Sequence, residues 1–187
     1  MVCRSQPTST LQTLASYLTA SHTLLSLILQ IPPFDPSASL RTSLLLRLTG
    51  DVLNAIPGYA PDVQTLSQLL TWLDNLDHGW LAVLRCQTWD PDASQGVDIV
   101  LPADTVLRST PTSQTERARL RSMLIAGTDR MEEWLAQLDT EAEDFQLTLE
   151  RLGLQQGFDD LFAGTLNEMG SLAGSTVNDP QGMEGTC

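Results

Sequence analysis

Apolar residues along this chain recur at helical rather than strand spacing, in five segments separated by clusters of Pro, Gly and Asp. The first runs from about Ser9 to Ile31. Leu11, Leu18 and Leu25 are spaced by sevens, with Leu14 and Ile28 between them, so one stripe persists through the segment. Pro32, Pro33 and Pro36 stop it, because proline lacks an amide hydrogen and its ring collides with the preceding turn. Ser39 is placed to cap a second helix over 40–55, whose Leu40, Leu44, Leu48 and Val52 share a face. Leu45, Leu46 and Leu53 widen that face and predict burial on two sides. Gly50 costs about 1 kcal/mol relative to Ala inside a helix, so it predicts close approach by a neighbouring backbone.

Asp62 is a good N-cap for the third helix, in which Leu66, Leu69, Leu70, Leu73, Leu76, Trp80, Leu81 and Leu84 make the clearest stripe. Gly79 is a point where this helix could bend or split. Residues 90–111 form the longest irregular stretch, opened by Asp90-Pro91-Asp92. Val97 to Leu101 has extended character, but a lone strand cannot complete a sheet, so a loop packed over the helices is expected. Ser113 and Glu116 have the spacing of a capping box ahead of a fourth helix that buries Leu120, Met123, Leu124, Met131, Trp134, Leu135 and Leu138. Thr140 and Glu143 repeat that spacing and predict a break near Asp139 with a fresh helix over 141–152. A last short helix is expected from Phe158 to Met169.

The fold class predicted is all-α: a mostly antiparallel bundle of four long helices plus one or two short C-terminal helices. Loops of about six residues between helices favour antiparallel neighbours. Residues 1–8 are expected to be a flexible N-terminus, 9–152 the bundle, 153–169 a short acidic amphipathic helix, and 170–187 a disordered tail with four Gly and no periodicity.

Charge changes the picture. The net charge is −13, yet residues 1–128 carry only −2 and residues 129–187 carry −11. That distribution repels phosphate backbones and anionic headgroups, so direct nucleic-acid binding is not expected. The cluster Arg117, Arg119 and Arg121 reads as the solvated start of a helix. No apolar run approaches the length of a membrane span, since Ser26, Gln30 and Arg47 interrupt the densest stretches. All ten basic residues are Arg, with no Lys. Coding bias explains this simply; avoidance of ubiquitin transfer, which uses the lysine ε-amine, is the sharper explanation. Cys3, Cys86 and Cys187 have no metal-like spacing and suit a reducing compartment, so cytoplasm or nucleus is expected.

Candidate chemistry is thin. His22 and His78 are the sole histidines, and neither a nucleophile elbow nor a glycine-rich phosphate loop is present. Asp74, Asp77 and His78 have the best metal-like spacing, but further ligands from His22 or the Glu132–Glu133 pair would be needed. The acids Glu132, Glu133, Glu141, Glu143 and Asp144 read as a solvated face. No enzyme, cofactor or metal is therefore expected. The candidate partner-binding residues are Phe158, Leu161, Phe162 and Leu166, which with Met169 fall on one helical stripe backed by acids, together with Trp72 and Trp89. Such a helix suits a hydrophobic groove with a basic rim, and the same stripe could instead close the bundle. The leading expectation is a non-catalytic subunit or adaptor of an intracellular complex held by apolar helix faces. A lysine-free degradation component and a leucine-lined small-ligand or lipid bundle, using Met123 and Met131, are the alternatives. The oligomeric state is not legible.

Overall fold

In the computed structural model, residues 11–99, 111–138 and 145–174 are described. The elements in chain order are α1 (Leu14–Leu29), α2 (Ser37–Ala55), α3 (Val63–Leu84), β1 (Thr88–Asp90), β2 (Gln95–Val97), α4 (Gln114–Leu135), α5 (Phe145–Arg151), α6 (Gln155–Asp159) and α7 (Ala163–Gly174), with a single 3-10 turn at Ile56–Gly58. The described chain is predominantly helical, and α3 is its axis. Helix α1 packs on one side of α3 and α7 on another, while α2 bridges α1, α3 and α4.

Three helix starts follow from local chemistry. Thr13 and Ser16 exchange hydrogen bonds as a capping box for α1. Asp62 accepts from the Gln64 amide at the head of α3, and Ser113 with Glu116 forms the box that opens α4. Helix α2 departs from expectation, because it starts at Ser37 and Ser39 lies inside its first turn. Pro36 stands at the cap position, and the Phe34 carbonyl accepts from the amides of Ser37 and Ala38 at 2.8 and 2.9 Å.

The buried face of α2 is also rotated from the predicted one. Leu45, Leu46, Leu48, Val52 and Leu53 are buried, but Leu40 and Leu44 are exposed and Arg41 takes an interior position. Two interior hydrogen bonds hold that rotation. The Arg41 guanidinium donates to the Gln87 carbonyl at 2.7 Å, and the Trp80 indole donates to the Thr49 hydroxyl at 3.0 Å. Gly50 meets Met123 only at ordinary distance, so it is not the tight approach expected of it. Tight glycines of the long helices α3 and α4 are Gly79 and Gly127, where a Cβ would lie 2.9 Å from Leu29 and 2.6 Å from Leu53. Gly79 therefore lets α1 close onto α3, which runs unbroken through it.

The stretch after α3 is not a plain loop. Thr88, Trp89 and Asp90 pair with Val97, Gly96 and Gln95 in an antiparallel hairpin. The Asp90 carboxylate accepts from the amides of Asp92 and Ala93, and Ser94 takes a left-handed φ of 50°, so this turn is built by side-chain chemistry. The missing partner strand lay immediately upstream. Gly96 is required because a Cβ there would fall on Gln87 and Ala82, which seats β2 on the end of α3.

The C-terminal helix is divided. Asp160, Leu161 and Phe162 form a turn between α6 and α7, with Phe162 at φ 60°. The predicted single stripe over 158–169 is thus split between two short helices. Helix α7 continues through Gly170 to Gly174, where a disordered tail was expected. The break predicted near Asp139, the second capping box and the acids Glu141, Glu143 and Asp144 fall outside the described residues. α5 is described only from Phe145.

Candidate functional site

The residues singled out for partner binding are mostly used inside the fold. Phe158 and Phe162 are buried, while Leu161 and Leu166 are partly buried against the same core. Their position is fixed from α3. The Asp77 carboxylate accepts from the Thr165 amide at 2.9 Å, and the Asp77 carbonyl accepts from the Thr165 hydroxyl at 3.3 Å. A residue of α3 thereby caps α7 across 88 positions of sequence. Arg85, at the end of α3, donates from Nε and Nη2 to one Glu168 oxygen at 2.9 and 2.6 Å. That contact holds the Arg85 pKa above its ordinary value, first through the hydrogen bond to Glu168. Gly157 completes the seat by pressing α6 onto Leu70.

Trp72 is not an exposed anchor either. It is 2 % exposed and forms, with Leu18, the floor of a groove of about 650 Å³ between α1 and α3. The walls of this groove are polar, including Thr19, His22, Gln68 and Asn75. Trp89 is half-buried on β1 and packs against the core. Met131 lines a smaller crevice of about 220 Å³ between α4 and the short helices, beside Glu132 and Phe158.

The metal-like trio does not converge. Asp74 and His78 approach to 3.4 Å as an exposed pair one turn apart, but Asp77 is committed to α7 and His22 stands in the groove toward α1. Among the described residues no group of three His, Cys, Asp or Glu side chains is arranged to hold a metal ion. No described helix is long and apolar enough to cross a membrane.

Exposed large apolar side chains occur at Val97, Ile125, Leu147 and Leu152, and in two pairs on α1 and α2. Leu24 and Leu27 are 53 % and 57 % exposed, and Leu40 and Leu44 are 53 % and 36 % exposed. Helices α1 and α2 pack on each other, and burial, then the charge of Asp51 on α2, raises the Tyr17 hydroxyl pKa. Leu24 and Leu27 are three residues apart and Leu40 and Leu44 four, so each pair shares a side of its own helix. The sequence carried the signal in one respect: α2 has more leucines than one buried face can use. No protein-family model, curated protein or solved structure matches the chain.

Proposed function

We propose that this protein is a non-catalytic helical subunit or adaptor of a multiprotein complex, docking through the leucine face of α1 and α2. The single observation that carries this reading is the exposure of four leucines on two helices that pack together, Leu24 and Leu27 of α1 and Leu40 and Leu44 of α2. Single exposed leucines are ordinary on a protein surface, whereas large exposed apolar patches mark binding sites, and four exposed leucines on two packed helices are the strongest start of one in this fold. Asp77 and Glu168 pin α7 to α3. The expected partner presents an apolar groove, and a basic rim on it would complement the acidic 129–187 region.

The test is a quadruple substitution, L24S/L27S/L40S/L44S, in a tagged chain expressed in its native cells. The wild type should migrate in an assembly larger than its own 20.4 kDa. The variant should keep its helical circular dichroism and shift to the monomer position. A wild type that already runs as a monomer, or a folded variant that stays in the assembly, refutes the proposal.

A further inference from the structure

The groove of about 650 Å³ between α1 and α3 has walls without charge. Helix α1 holds no Asp, Glu or Arg from Leu14 to Leu29, and α3 holds none from Val63 to Leu73. Charged residues make up 18 % of the chain, and the solvent face of a helix is where they normally stand. Here that face carries hydroxyls and amides instead. Thr19 and Thr71 turn their hydroxyl hydrogens back onto the Ala15 and Ser67 carbonyls, each at 2.9 Å, so their oxygens remain as acceptors. Gln64, Gln68, Thr71 and Asn75 follow one another at intervals of four, three and four, so they share a side of α3, and all four line the groove. Gln68 reaches over to α1 and donates to the Ala15 carbonyl at 3.4 Å and the Thr19 hydroxyl at 3.3 Å. The Gln64 and Asn75 side chains have no hydrogen-bond partner among the described residues.

These groups define what fits. A side-chain carboxamide sets donors beside an acceptor, which is the pair a peptide backbone offers in each unit. Gln64 to Asn75 spans about 16 Å at the rise of an α-helix. That equals the length of about five residues of extended chain. A nucleic-acid base would call for an exposed aromatic face to stack on, and Trp72 is 2 % exposed. A charged ligand would meet no opposite charge, and the loss of its hydration would go uncompensated. The matching ligand is an uncharged polypeptide strand, with its backbone on the amides and apolar side chains toward Leu18 and Trp72.

We propose that the α1–α3 groove binds an extended, uncharged segment of a partner polypeptide, about five residues long, held through its backbone by Gln64 and Asn75. None of Leu24, Leu27, Leu40 and Leu44 lines this groove. It is a second docking surface, and it stands or falls independently of the leucine face.

The experiment pans a phage library of random heptapeptides on the immobilised full chain and measures the enriched sequences, as synthetic peptides, by isothermal titration calorimetry. Their central residues should include no Asp, Glu, Lys or Arg. Gln64→Ala combined with Asn75→Ala should weaken binding roughly fivefold or more, whereas L24S/L27S/L40S/L44S should leave it unchanged. N-methylation of the central peptide amides removes backbone donors and keeps every side chain, and it should weaken binding to the wild type by roughly the same factor. Absence of enrichment overturns the proposal, as do charged central residues or indifference to either the double substitution or N-methylation. Enriched sequences that reproduce a stretch of this chain would assign the groove to the protein's own segment and overturn the partner. Should the double variant fail to fold, the N-methylated series on the wild type decides alone.

Discussion

Removing the carboxylate of Asp77 should loosen α7 from α3 by an amount that can be worked from its contacts. Oδ1 accepts the only bond to the Thr165 amide, and Thr165 is wholly buried. Loss of a helix cap costs about 0.5–2 kcal/mol, and a stranded buried donor costs about 1–3 kcal/mol. Both figures describe the same bond, so they are not added, and Asp77→Ala should cost about 2 kcal/mol. Asp77→Asn keeps an acceptor oxygen in place and should cost less than about 1 kcal/mol, since Asn and Asp cap comparably. Gly164 supplies an internal control, because a Cβ there would stand 2.6 Å from Asp77 Oδ2 and 3.1 Å from Leu81. Gly164→Ala should therefore cost about 1–3 kcal/mol through overpacking. In the Asp77→Ala background the worse collision is gone, and the better helix propensity of Ala, about 1 kcal/mol, should leave the second change nearly neutral. Urea unfolding of the four proteins measures this coupling, with a midpoint shift near 1 M for each 2 kcal/mol at an m-value of about 2 kcal/mol/M. The reasoning fails if Asp77→Asn is as damaging as Asp77→Ala, or if the two changes add to within about 0.5 kcal/mol.

Two further outcomes are expected. Trp80→Phe removes the buried indole bond to Thr49 and leaves unfilled volume between α2 and α3. It should cost about 2–3 kcal/mol in urea unfolding, and a loss below about 1 kcal/mol would discount the α2–α3 lock. Tyr17 has its hydroxyl pKa raised above 10.0, mainly by burial and then by Asp51 and Tyr59. The folded chain then keeps a proton that the unfolded chain has released, so this contribution to stability is intact below pH 10 and declines as pH rises past it. Tyr17→Phe should flatten the fall in stability between pH 9 and about 11; an unchanged slope would discard that account.

The long helices were readable because their information is local. Asp62, and Ser113 with Glu116, satisfy amides two or three residues away, and the α3 stripe from Leu66 to Leu84 repeats within a few turns. What was misread depends on partners far off in the chain. Arg41 enters the interior because a carbonyl 46 residues later receives it, and that inward turn exposes Leu40 and Leu44. Charged residues are almost never fully buried, and the apolar face expected over Leu40, Leu44, Leu48 and Val52 has no place for Arg41. Asp77 resembled a metal ligand until Thr165 gave it another purpose. Phe162 was joined to its neighbours as one stripe because a left-handed aromatic residue is rare and leaves no trace in an apolar pattern. The hairpin was within reach, since Trp89 and Gly96 flank a turn-forming Asp90-Pro91-Asp92, but strands of three residues give too short an alternation to register. For the candidate site, only the surplus of leucine on α2 was visible in advance.

The seating of α7 on α3 also sets an order of events during synthesis. Asp77 and Arg85 leave the ribosome some 80 residues before Thr165 and Glu168, which must come back to meet them. Loop closure over that distance has to precede any gain from the contact. Through most of translation the flank of α3 around Leu70 and Leu81 is consequently bare, and a nascent chain halted before α6 should be a target for chaperones that grip exposed apolar surface.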